Sequence, residues 1–432
     1  MEITVPDADA DATVPDVPPP PAAPDPAAPP VASSRADLRH RLNTATAGFE
    51  APLAAIDMEA WDVNAADLVR RAAGKPIRVA SKSLRSRMLL RDVLGRDGFH
   101  GVLALTLSEA LWLVGTELSS DVVVGYPTAD RRGLARLAGD EELAAGITLM
   151  VDDVAQLDLV DAVAPTDGRV EIRVCLELDL SWQPLGGRMR VGAKRSPLHT
   201  VDDLVRLAHA VQSRPGFRLV GVMGYESQIA GVQDAPPGRG WRGRMVRSMQ
   251  KRSWAELSER RVEAVEAVRK FADLEFVNGG GSGSVERTVS DVSITEVTAG
   301  SGLLAPRLFD GYTSFSPRPA AFFAVPVVRR PGPGVVTVQG GGYVASGAAG
   351  DDRLPVPWLP EGLTLDKDEG AGEAQTPLLG SPADDLAIGD RVWFRHAKAG
   401  ELAERFDQYY LVRGERLVDT IATYRGDGKT FL

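Results

Sequence analysis

The sequence lacks the features that mark secreted and membrane-spanning proteins. Its 432 residues include one cysteine, Cys175, so no intrachain disulfide can form, which indicates a reducing compartment and predicts a cytoplasmic protein. No apolar run approaches the about 20 residues that a membrane span requires. No lysine or arginine precedes Arg35 and the first residues contain no apolar core, so we expect no secretion signal.

Positive charge is in short supply. The 59 acidic residues outnumber the 49 lysines and arginines, which gives a formal net charge of -10 at pH 7. A surface of this sign repels nucleic-acid phosphates and anionic lipid, so neither nucleic acid nor a membrane is expected as a partner. The hydrophobic fraction of 44% and the chain length are ordinary for a soluble globular protein with room for two domains.

Core-forming residues are scarce in the first 34 residues, which are mostly Pro, Ala and Asp. Such a composition cannot bury a packed core, and repeated proline favours extended chain. We therefore predict a disordered acidic extension over residues 1–34 that is dispensable for chemistry.

From Arg35 onward the chain alternates strand-like and helix-like segments. A helix is expected from an Asn64 N-cap to a Gly74 stop, because asparagine caps helices and glycine ends them. Eight strands follow, with amphipathic stretches between them. The predicted strands are Ile77–Lys82, Gly101–Thr106, Asp121–Tyr126, Ile147–Asp152, Val170–Leu180, Phe217–Glu226, Leu274–Ser282 and Ile294–Ser301.

Several of these strands are apolar on both faces. Val122–Val124 and Val220–Met223 are nearly continuous apolar runs, which is typical of strands buried on both sides of a parallel sheet. Eight strand–helix units match a (β/α)8 TIM barrel, which we predict over residues 35–305. An open, doubly wound sheet is the alternative.

The pattern changes after Arg307. Short strand-like runs punctuated by glycine and proline replace the helical periodicity, which predicts a C-terminal all-β domain over residues 306–432. Within it, Asp351–Asp385 is expected to be loop. The basic stretch Arg239–Arg252, within the sequence range of the barrel, is also expected to be a solvated loop. A lid over the site is the alternative.

Lys82 is the most informative single residue. Lysine is costly to bury, so a lysine at the inner end of a core strand needs a reason, and covalent chemistry by a desolvated amine is one. In barrel enzymes the chemistry lies at the carboxyl ends of the strands, where Lys82 is placed. A surface lysine with its stem laid along the protein is the alternative.

Two glycine-rich segments end the last two predicted strands, at residues 279–284 and 300–302. Glycine lets backbone N–H groups wrap an anion, and a serine hydroxyl adds a donor. The alternative is that these glycines only form tight turns. Together with Lys82 they indicate a phosphate-bearing cofactor with an aldehyde, for which pyridoxal phosphate is the natural candidate.

Five stretches carry a resemblance to a known family. They are Val79–Lys82, Gly221–Glu226, Asn278–Gly283, Glu296–Ser301 and Tyr424–Thr430. In order and spacing the chain resembles the D-threonine aldolase/D-serine dehydratase group of alanine-racemase-type pyridoxal-phosphate enzymes. The resemblance implies a barrel followed by a β-domain, a homodimer, and a small amino-acid substrate.

The resemblance also implies roles for individual residues. Lys82 would carry the cofactor and move protons at the substrate Cα, and Tyr225 would line the cofactor ring. Arg190 would lie near the cofactor's phenolic oxygen, with Arg188 as the alternative. The phosphate would be bound by Ser282, Gly283, Gly300 and Ser301.

The metal site is where the chain departs from the family pattern. Family members typically present a His-x-Cys or His-x-Asp pair to a divalent ion such as zinc or manganese, and here His396 is followed by Lys398. Either His396 finds another partner, such as Glu401 or Glu373, or no metal binds and Lys398 supplies positive charge. A structural role for His396 is the third possibility.

The sequence thus predicts a pyridoxal-phosphate-dependent lyase, an aldolase or deaminase acting on a small amino acid, of D configuration with a β-hydroxyl. An amino-acid racemase is the first alternative and would need a second acid, for which Tyr312 and Tyr343 are available. A non-catalytic cofactor-binding regulatory protein is another alternative. A barrel enzyme that binds a sugar-phosphate-like compound through Lys82 is the last.

Overall fold

The computed structural model describes residues 34–236 and 240–432. The predicted extension therefore lies outside the described residues, apart from Ser34. No helix in the described part of the chain is both long and apolar enough to cross a bilayer.

Eight parallel strands close into a barrel, as the sequence predicts. A first strand, β1 (Leu53–Asp57), precedes them and belongs to a second sheet. The barrel closes because β9 pairs with β2. The barrel strands are β2 (Ile77–Ala80), β3 (Phe99–Ala104), β4 (Val122–Val124), β5 (Ile147–Val151), β6 (Ile172–Glu177), β7 (Phe217–Gly224), β8 (Phe276–Gly279) and β9 (Glu296–Ala299).

The inside of the barrel is filled by side chains. Val123, Met150, Cys175, Val220 and Phe276 form one buried apolar cluster, each on a different strand. The only cysteine is therefore inside the barrel, where burial raises the pKa of its thiol well above the ordinary value.

Helices connect and cover the strands. Several have aspartate or threonine N-caps, such as Asp153 before α7 and Thr200 before α8. The helices are α1 (Arg35–Ala45), α2 (Met58–Arg71), α3 (Arg87–Leu94), α4 (Leu107–Gly115), α5 (Arg131–Ala138), α6 (Glu141–Gly146), α7 (Val154–Val163), α8 (Val201–Gln212), α9 (Ser227–Ala230), α10 (Gly240–Arg269), α11 (Val285–Val289) and α12 (Ser301–Leu304).

The predictions for the start of α2 and for Arg239–Arg252 are wrong. The N-cap of α2 is Asp57, whose side chain accepts from two backbone amides, and not Asn64. Asn64 is instead in the middle of α2, and its side-chain amide donates to the Leu303 and Arg318 carbonyls. The predicted loop at Arg239–Arg252 is helical from Gly240 onward, because its arginine, methionine and glutamine residues favour helix.

The second sheet is mostly antiparallel and contains a strand from each end of the chain. Its order is β13-β14-β11-β10-β1-β16-β17, and β15 pairs with β10 and β12. β1, inside the range predicted for the barrel, lies between β10 and β16. The remaining strands are β10 (Ala321–Gly332), β11 (Val335–Gln339), β12 (Val356–Leu359), β13 (Thr364–Leu365), β14 (Gln375–Leu379), β15 (Arg391–Arg395), β16 (Gln408–Arg413) and β17 (Arg416–Ala422).

A buried ion cluster lies at the amino end of the barrel. The Arg78 guanidinium donates to Glu296 at 2.7 Å and to Asp121 at 2.8 Å, and His100 Nε2 lies 2.9 Å from Glu296. Burial acts to raise the pKa of the Glu296 carboxyl, but His100 and Arg78 more than offset it and lower that pKa to about 2. Because this cluster is at the opposite end from the strand termini that carry chemistry, its role is stability.

Replacing Glu296 with glutamine should lower the free energy of unfolding by about 3–5 kcal/mol, because it leaves Arg78 buried with part of its countercharge removed. The folded-state pKa of Glu296 is below its ordinary value of 4.5. Its contribution to stability is therefore present above pH 4.5 and is lost as the pH falls toward 2. Urea unfolding measured at several pH values should show a weaker acid dependence for the variant.

The matched control is Glu275→Gln. Glu275 pairs with Arg173 and Arg218, but its side chain is 42% exposed, so we expect a loss below about 1 kcal/mol. Equal losses for the two variants would show that the Glu296 cluster contributes no more than a surface ion pair.

Candidate active site

The carboxyl-terminal ends of the barrel strands bring most of the predicted site residues to one mouth. Lys82 lies in a single 3-10 turn, Ser81–Ser83, directly after β2. Tyr225 follows β7, and Ser282 and Ser301 follow β8 and β9. Because β9 pairs with β2, the turn that carries Lys82 adjoins the glycine segments of the last two strands.

The Lys82 amine has a defined partner. Its Nζ donates a hydrogen bond of 2.8 Å to the Tyr126 hydroxyl and lies 5.4 Å from the centre of that ring. The Arg195 guanidinium lies 5.6 Å from the Tyr126 ring centre and 5.7 Å from that of Tyr225. Burial raises the pKa of the Tyr225 hydroxyl to about 12, although Arg195 opposes the rise, so Tyr225 is protonated at neutral pH.

Two backbone amides and two hydroxyls converge between β8 and β9. Ser282 Oγ accepts hydrogen bonds from the N–H of Gly300 at 3.2 Å and of Gly302 at 2.9 Å. The Ser301 hydroxyl lies 3.3 Å from the same oxygen. This amide cup (Ser282, Gly300, Ser301 and Gly302) concentrates the kind of donors that bind phosphate oxygens.

Glycine is required at two positions here because other backbone comes too close for a side chain. A Cβ on Gly300 would lie 2.8 Å from the Ala80 carbonyl oxygen, and one on Gly283 would lie 2.4 Å from that of Ala230. The first contact joins the amide cup to the Lys82 turn, and the second joins the β8 loop to α9. Both glycines therefore set the spacing of the mouth.

A buried chain of charges holds the β8 loop. Glu226 accepts hydrogen bonds from the Gly280 N–H at 2.8 Å and from Arg261 of α10 at 2.5 Å. Arg261 Nε also donates to Asp291 at 2.8 Å. Burial acts to lower the pKa of the Arg261 guanidinium, but the two carboxylates more than offset it and raise that pKa. These ion pairs fix the β8 loop against α10, and the charges of Glu226, Arg261 and Asp291 pair with one another.

Arg190, predicted to face the cofactor, is held by other side chains. Its guanidinium forms an ion pair with Asp179 at 2.9 Å and donates to Ser181 Oγ at 3.1 Å. The alternative, Arg188, is exposed, and so is Arg195. The Arg195 guanidinium lies near the rings of Tyr126 and Tyr225, and Tyr126 bonds Lys82. Arg195 therefore brings a positive charge to the Lys82 side of the mouth.

Three mouth residues were not singled out from the sequence: Tyr126, Arg195 and Glu177. Glu177 ends β6, two residues after Cys175, which faces the barrel interior. Burial raises the pKa of the Glu177 carboxyl to about 7, Arg195 opposes the rise, and two nearby aspartates add to it. For Tyr126 and Glu177 the available signal was position, because one follows β4 and the other ends β6; Arg195 lies in the long loop after β6 and carried no such signal.

His396 and Lys398 lie on a loop of the second sheet that contacts the Lys82 turn through Gly400. The His396 ring is buried, with Nδ1 3.2 Å from the Ala321 carbonyl oxygen. Its Nε2 has no hydrogen-bond partner among the described residues. Burial lowers the pKa of His396 to about 4, so the ring is neutral at pH 7.

The surroundings of His396 do not fit a divalent ion. Lys398 Nζ donates to Ser346 Oγ at 2.6 Å and pairs with Glu401 at 2.9 Å, so this carboxylate is engaged and the ammonium has no lone pair to offer. Within residues 34–236 and 240–432, no three His, Cys, Asp or Glu side chains form a group that could hold a metal ion.

The two tyrosines considered as a second acid have other environments. Tyr312 donates its hydroxyl hydrogen to the Ala230 carbonyl at 2.8 Å. The Tyr343 ring packs against Phe323 and Phe406 of the second domain. Burial raises the pKa of both hydroxyls. Within the described part of the chain, neither hydroxyl bonds to the mouth lysine.

No protein-family model matches the sequence, and a search of curated proteins finds no match. Solved structures do match. A D-threonine aldolase from Filomicrobium marinum is 21% identical, with a TM-score of 0.69 over 87% of this chain and 95% of that one. D-threo-3-hydroxyaspartate dehydratase from Delftia sp. HT23 is 20% identical, with a TM-score of 0.66 over 87% and 97%.

The alanine racemase from Bacillus anthracis is more distant in sequence. It is 13% identical, with a TM-score of 0.57 over 88% of this chain and 99% of that one. At these identities the likeness establishes the fold, a closed parallel barrel with a mostly antiparallel sheet. The fold expected from the sequence resemblance is confirmed.

Proposed function

We propose that this protein is a pyridoxal-phosphate-dependent lyase. Its substrate is a small amino acid of D configuration with a β-hydroxyl, which it cleaves by a retro-aldol reaction or dehydrates and deaminates. The observation that carries the proposal is the turn of Lys82 beside the amide cup, on neighbouring strands of one barrel. That proteins of this fold include a D-threonine aldolase and a D-threo-3-hydroxyaspartate dehydratase supports the lyase class.

The mouth suits pyridoxal phosphate. Ser282, Gly300 and Ser301 would hold the phosphate together with the loop at Gly283, because the Gly300 and Gly302 amides and the Ser301 hydroxyl already converge on the Ser282 hydroxyl. Lys82 would hold the aldehyde through its amine. When bound, this cofactor draws electrons from the substrate Cα and weakens the bonds there.

The remaining mouth residues have distinct tasks in this proposal. With the cofactor bound, the Lys82 amine would accept and return the proton at the substrate Cα. Tyr225 lines the ring and remains a neutral phenol. Arg195 takes the cationic role expected for Arg190, because Asp179 engages Arg190 in an ion pair. Glu177 can exchange a proton near neutral pH at the mouth.

The proposal includes no divalent ion, because the donor set at His396 does not fit one. Lys398 supplies the positive charge of that loop, oriented by Ser346 and Glu401. A racemase is less well supported, since Tyr312 is engaged by a backbone carbonyl. A homodimer and a cytoplasmic location complete the proposal on the basis of the sequence.

Product analysis tests the reaction class. We expect purified protein supplied with pyridoxal phosphate to consume D-threonine, D-serine or D-threo-3-hydroxyaspartate, giving glycine and an aldehyde, or a keto acid and ammonia. Activity should be unchanged by a chelator and by added zinc or manganese. D-alanine should remain unracemised.

Racemisation of D-alanine without cleavage of any β-hydroxy amino acid would overturn the lyase assignment in favour of a racemase. Complete loss of activity with a chelator, restored by one metal, would overturn the metal-free part of the proposal. Cofactor binding without turnover of any of these compounds would favour the regulatory protein.

A further inference from the structure

Tyr126 is placed at the mouth by a short segment with little freedom. It follows β4 after Gly125 and precedes Pro127, whose ring restricts the backbone of the residue before it. Its side chain is half-buried, so part of it reaches solvent. A phenol in this position can bond the half-buried lysine amine and still exchange with water.

The hydroxyl of Tyr126 is bonded to the residue on which the proposed chemistry depends. Lys82 Nζ donates to it at 2.8 Å. Among residues 34–236 and 240–432, the amine has no other hydrogen-bond partner. The Arg195 guanidinium lies 5.6 Å from the Tyr126 ring centre, and such a contact stabilises the ring in its orientation.

Three other tyrosines have hydroxyls that are bonded elsewhere. The Tyr312 hydroxyl bonds a backbone carbonyl, and the Tyr424 hydroxyl donates to the buried Glu109 at 2.7 Å. Tyr410, in the second sheet, accepts from Gln408 at 2.6 Å. Tyr126 is thus distinguished by its contact with the lysine amine and by its access to solvent.

We propose that Tyr126 is the acid–base partner of Lys82 and carries the proton between its amine and solvent. This inference rests on the proposed function of Lys82. In the outward step an Nζ–H bond of the ammonium breaks and an O–H bond forms on the Tyr126 oxygen. The phenol's own O–H bond breaks at the same time and its proton leaves to water. The amine lone pair is then free, and the reverse step restores the ammonium.

The rate at which the cofactor-free, full-length chain captures added pyridoxal phosphate tests this role without measuring turnover. Capture needs a free amine, so Tyr126→Phe should slow it by about 100-fold, the usual effect of losing a positioned acid–base group. The final absorbance should equal that of the unmodified protein. Tyr410→Phe, which also removes one hydroxyl, should capture at the unmodified rate.

Added imidazole separates proton transfer from a structural role. If Tyr126 carries the proton, imidazole should restore the capture rate of Tyr126→Phe in proportion to its concentration. Capture by Tyr126→Phe at the unmodified rate, or slow capture that imidazole does not change, would overturn the inference and leave the proposed function intact. Failure of the unmodified protein to capture pyridoxal phosphate would overturn the proposed function itself.

Discussion

Lys82→Ala should remove the visible absorption of bound pyridoxal phosphate and lower turnover by more than about a thousandfold. The reason is that the Lys82 amine is both the proposed covalent anchor and the proposed proton carrier at Cα. The fold should survive, because Lys82 is half-buried and its amine donates to a half-buried tyrosine. We expect a stability change of about 1 kcal/mol or less.

Lys75→Ala is the matched control for this experiment. Lys75 lies just before β2, at the other end of the strand, where its amine bonds the Asp291 and Ile294 carbonyls. It should keep both absorption and activity. Retention of the visible band by Lys82→Ala, or its loss in Lys75→Ala, would show that the cofactor is held elsewhere.

Gly400→Ala should damage both stability and cofactor binding. Gly400 has a φ of +91°, and a Cβ there would lie 1.8 Å from the Lys82 carbonyl oxygen. Alanine must therefore push apart the second-sheet loop and the turn that carries Lys82. The left-handed backbone and the overpacking together should cost about 3 kcal/mol or more. The displaced turn should also weaken pyridoxal-phosphate binding, measured by absorbance titration.

Gly428→Ala separates backbone strain from the steric contact. Gly428 also has a positive φ, +69°, but nothing lies within 4 Å of its Cβ position. We expect a loss of about 1–2 kcal/mol with unchanged cofactor affinity. If Gly400→Ala behaves in the same way, the loop of His396 and Lys398 does not position Lys82.

The barrel could be predicted because its signal is local. Apolar runs such as Val122–Val124 identify strands buried on both faces, and eight of them give the closed barrel that the structure contains. β1 was missed because five residues, Leu53–Asp57, carry too little pattern to identify a strand. Its partners β10 and β16 lie more than 260 residues later, and only the folded sheet brings them together.

The prediction of a loop over Asp351–Asp385 is wrong for a related reason. It contains β12, β13 and β14, whose pairing is set by β11 and β15 rather than by their own proline- and glycine-rich sequence. Asn64 shows the converse, since a good capping residue is used inside α2 for contacts with distant carbonyls. Tertiary contacts decide both cases.

In the candidate site too, local features could be predicted from the sequence and long-range contacts could not. Lys82 and the glycine segments follow directly from strand ends and backbone chemistry, and the structure brings them together. The pairing of Arg190 with Asp179 depends on the path of a long loop after β6, so the sequence could not separate Arg190 from Arg195. The contact between Tyr126 and Lys82 joins residues 44 positions apart on different strands.

The most direct test of the account is to locate the cofactor on the chain. Purified protein is incubated with pyridoxal phosphate, the link is reduced with borohydride, and the digested peptides are analysed by mass spectrometry. The account predicts stoichiometric modification of Lys82. Modification spread over several surface lysines, or stoichiometric modification of a different lysine, would contradict it.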